Sequence, residues 1–458
     1  MAVLVLLIFA WSQVQLNMRA ASSTSTSSVG NVGELPSLDE ALQGVPQTKN
    51  VTIPAKKKSR LDAYDPARFP VLATIDMEKS PIKVGIATIS PLVGEAMHFL
   101  YDGVVRSRML QLVGVVSLYG ASSETNTNHS SSASASSSWK PNDADLWIVD
   151  GARVAKLKRP FLDQILHASN PSWKVLIVDF SDRFQFQLRS YQKLDIWNHK
   201  HVRVAARSVV QGRYFDSEAN TIVPGRVAPN VPTAGGPTLH APYAVRTDMV
   251  ETLQQIMQRR LENSTIALAQ AIFDFPTHER PIDVLHLWNI SFREGKSKLR
   301  NNVSKQVRSW NRTLLAGNHT LVTSIDEQGQ RRHVGRNAVD PNYVRALLSA
   351  KIVVVTQKDD WEDHYRLFES LICGALVLQD IMVAPPKGLV NGSTIVFFQS
   401  LEELEQRIFY YLKHPEERRA IARKGWELAM GRHRSWHRIE ELIFGRPLTL
   451  VDPNYAGL

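Results

Sequence analysis

The chain has 458 residues, a formal net charge of +10 and a hydrophobic content of 43%. This length exceeds what one hydrophobic core usually organises, so a single small domain is excluded and two domains with appendages are expected. The apolar content is ordinary for a globular protein and excludes a wholly disordered or fibrous chain. The basic residues are scattered. The charge suits a nucleotide-sugar, a phosphorylated acceptor or a nucleic acid, and it equally suits a merely basic surface.

The N-terminus is an apolar run, Ala2–Trp11, with the length of a signal-peptide core and too short to span a bilayer. We interpret residues 1–17 as a secretory signal peptide or part of a signal-anchor, that is, a possible membrane anchor. A mispredicted start or an exposed apolar tail is the alternative. Residues 18–80 are rich in Ser, Thr, Pro and Lys without periodicity, which predicts a disordered stem or linker.

Glycosylation sequons support entry into the secretory pathway. The chain has eight Asn-x-Ser/Thr sites, whereas its composition would give about two or three by chance. They begin at Asn50, Asn128, Asn263, Asn289, Asn302, Asn311, Asn318 and Asn391. The only cysteine, Cys373, excludes an internal disulfide, which weakens this interpretation slightly, and we expect it to pack as a small apolar residue. The expected location is the Golgi or ER lumen, either lumenal or membrane-anchored.

Strand and helix patterns alternate through residues 81–275 and predict a parallel, doubly wound sheet, the N-terminal Rossmann-like domain. Residues 121–140 are almost wholly small and polar, which predicts a disordered insertion. Strands are predicted from Ile82 and at Val113–Leu118, Leu146–Asp150, Val175–Phe180 and within His201–Val210, and helices through Phe99, at Phe161–Ala168 and at Thr247–Leu261.

A second α/β pattern occupies residues 281–446, with residues 447–458 as a tail. The domain crossover is predicted near Phe273–Pro281. Strands are expected at Asp283–Trp288 and Thr320–Ile325, and a helix within the basic segment Phe292–Arg308. Two helix starts have clear caps: Asp340 before Pro341, with a helix ending at Ala350, and Ser400 with Glu403 as a capping box.

The most informative stretch is strand Lys351–Thr356, helix Tyr365–Cys373 and strand Ala375–Leu378, with Gly374 ending the helix. The helix has apolar residues at helical spacing and leaves two charged residues, Arg366 and Glu369, on its other side. An open α/β sheet binds its ligand at the carboxyl ends of its strands, so the loop before this helix predicts a ligand site.

The pattern His364-Tyr-Arg-Leu-Phe-Glu369-x4-Gly374-Ala-x-Val, followed by Asp380 and a Pro-rich loop, resembles the C-terminal half of GT-B glycosyltransferases. It is most similar to the CgeB-like (spore protein glycosyl transferase-like) group and more loosely resembles exostosin-type transferases. The resemblance runs to about Arg434 and covers roughly a quarter of the chain. It implies the GT-B fold, an α/β class with two Rossmann-like doubly wound domains facing a cleft. The donor would bind to the second domain and the acceptor to the first.

The resemblance also implies site residues. Glu369 matches the family's helix glutamate, which binds the donor ribose or sugar, and Arg366 is its basic companion, suited to phosphate. Four more residues can approach the departing diphosphate: His364, Lys358, Arg293 and Lys296. The alternatives are a surface ion pair between Arg366 and Glu369, a capping or packing role for His364, and solvent-facing basic side chains at the others.

One departure leaves the reaction's stereochemistry open. Many retaining GT-B enzymes have a second glutamate eight positions before the helix glutamate, but this chain has Trp361 there, between Asp360 and Glu362. Direct contact of an acidic residue with the donor sugar at that position is therefore in doubt, and so is the choice between retention and inversion.

Candidate general bases lie in the first domain. Asp150 and Asp179 end predicted strands and Asp182 follows, so they suit either proton removal from an acceptor hydroxyl or simple loop formation. Asp143-Ala-Asp145 has the D-x-D form of metal-dependent transferases, but it precedes a strand instead of closing one. We expect no obligatory metal and no cofactor apart from the nucleotide-sugar substrate.

These patterns together predict a glycosyltransferase, of the hexosyl- or pentosyltransferase kind, that moves a sugar from a nucleotide-sugar to a glycan or glycoprotein hydroxyl in the secretory pathway. A catalytically inactive carbohydrate-binding or scaffold relative of the same fold is the alternative. A nucleic-acid binder is a third hypothesis, and the absence of an interleaved aromatic and basic stripe argues against nucleic acid as a partner.

Overall fold

The computed structural model describes twelve stretches of the chain, all within the unit Leu38–Leu458. They are residues 81–88, 97–117, 143–151, 175–180, 199–227, 238–260, 268–274, 280–288, 298–313, 321–323, 339–357 and 362–449. The predicted signal segment 1–17, stem 18–80, insertion 121–140 and helix Phe161–Ala168 lie outside these stretches. So does most of the predicted tail.

Short runs rich in β-branched residues form the strands of the first half of the chain. In order they are β1 (Ile82–Thr88), β2 (Leu110–Ser117), β3 (Leu146–Asp150), β4 (Val175–Asp179), β5 (Val202–Ala206), β6 (Val210–Gln211), β7 (Tyr214–Asp216), β8 (Thr221–Val223), β9 (Arg226–Val227) and β10 (Leu239–His240). Six of them form the first sheet, which is parallel throughout in the order β10-β5-β4-β3-β1-β2. The other four form two antiparallel pairs, β6 with β9 and β7 with β8.

Three helices are described in this half: α1 (Asp102–Arg106), which continues a π-helical turn at Met97–Tyr101, α2 (Thr247–Arg260) and α3 (Leu268–Phe273). The predicted apolar face of α2 is confirmed, because Met249, Leu253, Ile256 and Met257 are all buried. That face packs into the core shared by both halves of the chain.

The second half contains β11 (Ile282–His286), α4 (Lys298–Thr313), β12 (Leu321–Thr323), α5 (Pro341–Leu348), β13 (Ala350–Val355), α6 (Tyr365–Ile372), β14 (Leu376–Asp380), β15 (Val396–Phe398), α7 (Leu401–Lys413), α8 (Pro415–Arg432) and α9 (Ser435–Phe444). Its strands form the second sheet, again parallel, in the order β12-β11-β13-β14-β15. The predicted α/β class with two parallel sheets is therefore confirmed.

The predicted helix boundaries follow from local capping. The Asp340 carboxylate accepts the backbone N–H of Asn342 at 2.9 Å, and α5 begins at Pro341. The helix ends at Leu348, short of the predicted end, because Ala350 already belongs to β13. The sequence therefore predicts the first residue of α5 correctly, whereas the last residue of the helix is determined by the pairing of β13.

Glycine and serine define two further boundaries. Gly374 has φ +73, a conformation that favours glycine, and it lies directly after the end of α6. The Ser400 hydroxyl accepts the N–H of Glu403 at 3.0 Å, as the capping box requires. The Glu403 carboxylate reaches back one residue further than expected, to the N–H of Gln399 at 2.8 Å.

The β7–β8 hairpin belongs to the first half by sequence, but it packs in the second. Its Phe215 and Ile222 are buried in the core formed by α4, α7 and one face of the second sheet. The Ile222 N–H donates to the Gln399 carbonyl at 2.8 Å, and the Leu401 N–H donates to the Asn220 carbonyl at 3.3 Å. This hairpin therefore fastens the first half to the outer core of the second.

The C-terminal helix makes the reverse crossing. Helix α9 packs on α1 so closely that a Cβ added at Gly103 would lie 2.5 Å from Ile439. The Ser107 hydroxyl donates to the Glu440 carboxylate at 2.6 Å, and both groups are buried. The two halves are thus joined at two places, by the β7–β8 hairpin at the start of α7 and by α1 on α9. Within the described ranges, every helix is too short or too polar to cross a membrane.

Candidate functional site

The carboxyl edge of the second sheet carries a stacked group of one indole and two guanidinium ions. Trp288 follows β11, Arg300 lies in the first turn of α4, and Arg366 lies in the first turn of α6. The guanidinium carbons are 3.6 Å (Arg300) and 3.9 Å (Arg366) from the indole ring centroid. Two guanidinium ions this close to one centroid must occupy opposite faces of the ring, so Trp288 separates them.

Hydrogen bonds to backbone carbonyls hold both arginines in place. Arg300 donates from Nε to the Thr356 carbonyl at 3.1 Å, and Arg366 donates from Nη1 to the Leu287 carbonyl. The Nε atom of Arg366 is also buried, and it has no hydrogen-bond partner among the described residues. A buried guanidinium donor without an acceptor costs free energy, so this position favours an incoming acceptor such as an anion.

His364 orients the start of α6. Its Nδ1 accepts the N–H of Arg366 at 3.1 Å, so it is the N-cap of the helix, and its ring meets the Trp288 indole edge-on at 4.6 Å. The capping alternative is therefore what the structure shows. His364 still contacts the stacked group, and it positions Trp288 beside the first turn of α6.

Glu369 lies one turn further along α6 and is buried, with only 4% of its surface exposed. The Tyr343 hydroxyl donates to its carboxylate at 2.7 Å. Burial raises the pKa of Glu369, while Arg246, the Tyr343 hydrogen bond and Arg366 oppose that rise. The alternative of a surface ion pair does not hold: Glu369 accepts a hydrogen bond from Tyr343, and Arg366 donates to the Leu287 carbonyl.

Arg366 and Glu369 nevertheless line one recess. Its other walls are α5, the residues just before it, and two residues of the first half, Arg246 and Met249. A carboxylate and a guanidinium beside a shared recess can bind a polyol and a phosphate respectively.

A buried histidine lies behind the stacked group. His286 ends β11 and contacts the hydroxyls of Ser304 at 3.0 Å and Thr356 at 3.3 Å. Burial, followed by the charges of Arg300 and Arg366, lowers the pKa of His286 to about 3. The ring is therefore neutral near pH 7, and adds no charge behind the two guanidinium ions.

Asp380, part of the sequence motif, has a structural partner that the sequence did not reveal. Arg213, from the segment between β6 and β7, pairs with its carboxylate, and both side chains have no exposed surface. The Gln357 N–H also donates to Asp380 at 2.8 Å. Nearby, Glu362 accepts the N–H of Val383 at 2.8 Å and so holds the Pro-rich loop that follows β14. These bonds fix the loops around the site.

The remaining predicted residues are placed as follows. Asp150 and Asp179 end β3 and β4 at the carboxyl edge of the first sheet. Asp182, Lys358, Arg293 and Lys296 lie outside the described residues. Asp145 of the D-x-D sequence accepts the backbone N–H of Lys83 at 3.0 Å. In the described part of the chain, no three His, Cys, Asp or Glu side chains are grouped to hold a metal ion.

Sequence reasoning missed Trp288, Arg300 and His286 as site residues. The sequence does contain a signal, the basic segment after the first strand of the second domain. Within that segment, the predicted site residues are Arg293 and Lys296, and Arg300 is not among them. Cys373 is buried as expected, and burial raises the pKa of its thiol.

Comparison with known proteins agrees with this geometry. A family model described as glycosyl transferase-like matches residues 300–443. Residues 300–443 of this chain are therefore similar to glycosyl transferase-like domains. The matched segment includes Arg300, Arg366 and Glu369, and the predicted enzyme class, a glycosyltransferase, is confirmed. No curated protein sequence matches the chain.

Several solved structures are similar to this chain at low identity. Anabaena HepE in complex with UDP matches at 10% identity and a TM-score of 0.43, covering 80% of this chain and 100% of that one. T4 phage BGT with its UDP-glucose substrate matches at 12% identity and a TM-score of 0.35, covering 79% and 97%. Sucrose-phosphate synthase from Thermosynechococcus elongatus matches at 14% identity and a TM-score of 0.35, covering 66% and 73%.

Proposed function

We propose that this protein transfers a sugar from a nucleoside-diphosphate sugar, with the diphosphate held by the guanidinium groups on either face of Trp288. The observation that carries the proposal is this pair, Arg300 and Arg366, fixed at the carboxyl edge of a parallel sheet. Ligands of open α/β sheets bind at that edge. Planar guanidinium groups match the geometry of phosphate oxygens.

The N-terminus of α4 adds to the positive field. Lys298 and Arg300 occupy its first turn, which contains no acidic residue. A helix N-terminus already carries partial positive charge, so two cations there are unfavourable until an anion binds. A diphosphate that gains charge as the sugar leaves it is stabilised most by donors fixed in advance.

Glu369 supplies the complementary group. A carboxylate in the same recess as Arg366 can accept hydrogen bonds from ribose or sugar hydroxyls. Because Tyr343 occupies part of its accepting capacity and burial restrains its position, Glu369 is held for one orientation of the donor. Bond formation then rests on positioning and on charge stabilisation of the nucleotide, without an obligatory metal.

The finer assignments rest on sequence. The apolar start and the eight sequons support a glycan or glycoprotein acceptor in the secretory pathway, in the Golgi or ER lumen, with a possible membrane anchor. The motif from His364 to Gly374 supports a CgeB-like member, with an exostosin-type relative as the looser resemblance. Either assignment agrees with a hexosyl- or pentosyltransferase.

Nucleotide binding tests the proposal directly. We expect one of UDP, GDP and CDP to raise the unfolding temperature of the protein. Arg366→Ala should weaken that nucleotide by about tenfold or more, because charge-assisted hydrogen bonds contribute about 1.5–3 kcal/mol. Arg407→Ala is the matched control, since that arginine is part of an exposed i,i+4 pair on α7. Absence of binding by all three nucleotides, or unchanged affinity in Arg366→Ala, contradicts the proposal.

A further inference from the structure

Asp363 has an unusual backbone for its position. It precedes the N-cap of α6 and has φ +74, in the left-handed region that non-glycine residues seldom adopt. Its neighbours hold it there: Glu362 is bonded to the loop after β14, and His364 caps α6. Residues fixed in such conformations concentrate at functional sites, where the surrounding structure maintains them.

The Asp363 side chain is buried and only partly bonded. It is 1% exposed, and its Oδ2 accepts the backbone N–H of Tyr243. Its Oδ1 is also buried and forms no hydrogen bond within the described part of the chain. A buried carboxylate oxygen without a donor is costly, so Oδ1 favours an incoming donor such as a substrate hydroxyl.

This carboxylate lies where the two sheets meet. Asp363 is in the loop between β13 and α6, at the carboxyl edge of the second sheet. Tyr243 follows β10 and Arg207 follows β5, both at the carboxyl edge of the first sheet. Arg207 donates to the Tyr243 hydroxyl at 2.7 Å, so these two residues form one wall opposite Asp363.

The groups around Asp363 set its basicity. Burial raises the pKa of its carboxyl from 3.8 to about 6, against the Tyr243 and His364 N–H groups and the charges of Arg207, from the first sheet, and Arg438, from α9. The neighbouring Glu362 carboxyl is buried as well, and burial also raises its pKa. A carboxylate with this pKa is ionised at pH 7 and is a stronger proton acceptor than an ordinary aspartate.

We propose that Asp363 is the general base of the transfer reaction, accepting at Oδ1 the proton of the acceptor hydroxyl. As that proton leaves, the hydroxyl oxygen forms a bond to C1 of the donor sugar. The bond from C1 to the diphosphate oxygen breaks, and its electron pair leaves with the nucleotide. This is a single displacement, so the configuration at C1 inverts. The inference rests on the proposed function, because it needs a nucleotide-sugar bound beside Arg366.

Oδ1 is buried in the free protein, so the proposal requires the residues around Asp363 to move when the acceptor binds. Catalytic hydrogen bonds often become well formed only in the substrate complex. Asp150 and Asp179 end strands of the first sheet, whereas Asp363 lies in the loop between β13 and α6 of the second.

Donor hydrolysis with water as acceptor tests the proposal without knowledge of the natural acceptor. We would measure nucleoside diphosphate released from UDP-glucose, UDP-galactose and GDP-mannose by the wild type, Asp363→Ala and Asp363→Asn. Loss of a general base should slow release by about 100-fold or more. Sodium azide should restore release in Asp363→Ala, because the azide anion attacks C1 without losing a proton and yields a glycosyl azide of inverted configuration.

A merely structural role for Asp363 gives different results. It predicts a lower unfolding temperature and weaker UDP binding in both variants, with no rescue by azide, and those results would overturn the inference. So would wild-type rates in Asp363→Ala, or a product that retains configuration. For the wild type, we expect release to fall as pH decreases through about 6, and this acidic limb should disappear in the azide-rescued variant.

The proposed function fails separately. If the wild-type protein does not bind UDP, GDP or CDP and releases no nucleoside diphosphate from any donor, the proposed nucleotide-sugar transfer is wrong. The proposed role of Asp363 then fails with it. If the wild type binds and turns over a donor but Asp363→Ala does so equally well, only the inference about Asp363 is wrong.

Discussion

The carboxyl edges of the two sheets carry different chemistry. The edge of the second sheet gathers cations around an indole, Arg300 and Arg366 against Trp288, each tied to a carbonyl of its own domain. The edge of the first sheet carries two strand-end aspartates and the Arg207–Tyr243 pair. Under the proposed function, the edge of the second sheet binds the anionic donor and the edge of the first sheet faces the acceptor.

The largest expected effect comes from breaking the ion pair that crosses between the halves. Arg213→Ala leaves the Asp380 carboxylate buried without its cation, which typically costs about 3–5 kcal/mol. Urea unfolding monitored by circular dichroism measures the loss. Arg407→Ala, in an exposed pair, should change stability by about 0.5 kcal/mol or less.

Neutralising both partners sharpens the same test. In Arg213→Leu combined with Asp380→Asn, the Asp380 charge is removed as well, and the buried Glu362 carboxylate, 3.8 Å from Arg213, is the acidic group that still loses its cation. Part of the stability lost in Arg213→Ala should therefore return. If the double variant is less stable than either single variant, the pair holds the hairpin by geometry more than by charge.

The pH dependence of stability in Asp363→Asn tests the buried carboxylate that lies between the two sheet edges. The pKa of this carboxyl is raised from 3.8 to about 6 by folding, so the folded protein takes up a proton between these values. The stabilising contribution is complete below pH 4 and is lost as pH rises through 6, by about 3 kcal/mol in total. The asparagine side chain does not ionise, so the variant does not lose this stability as pH rises. Its unfolding free energy relative to wild type should therefore rise between pH 4 and pH 7, and a constant difference would contradict the assignment.

Trp288→Leu tests the cationic edge by itself. Removing the indole takes away two cation–π contacts and leaves the guanidinium ions facing each other, so stability should fall by about 1–2 kcal/mol. Added UDP or GDP should restore part of the lost stability, because a bound anion reduces the repulsion between the two guanidinium ions that the ring had separated. Thermal unfolding with and without nucleotide is the measurement, and a loss that nucleotide leaves unchanged argues against an anion site here.

The smallest effect is expected at the seam between the hairpin and α7. Ser400→Ala removes the cap of α7 and should cost about 1 kcal/mol. Asp340→Ala removes the corresponding cap of α5, away from the hairpin. Equal losses, measured by chemical unfolding, show that each cap acts locally, whereas a larger loss at Ser400 shows that the hairpin contact depends on it.

Features decided by nearby residues were predictable. The caps at Asp340 and Ser400, the helix end at Gly374 and the buried strand before α6 all depend on preferences within a few residues. Sequence also identified Arg366 and Glu369, because the motif places them together on one short helix. In these cases local chemistry and tertiary structure agree.

Contacts between distant segments were not predictable. Arg213 and Asp380 are separated by 167 positions, and nothing near either residue indicates the other. The partner of Glu369 is Tyr343, on a different helix, so the sequence could suggest an ion pair with Arg366 but not its replacement by a phenol. Asp363 was overlooked because its importance depends on the backbone N–H of Tyr243 and on burial, which have no local sequence pattern.

The β7–β8 hairpin means that the two halves of this enzyme are not interchangeable modules. A fragment beginning at residue 281 would lack Phe215 and Ile222, and the outer core of the second sheet would be exposed to water where they belong. Removing α9 would uncover α1 in the same way. Chimeras that replace the first half of the chain should therefore keep residues 210–227 of the protein that supplies the second half.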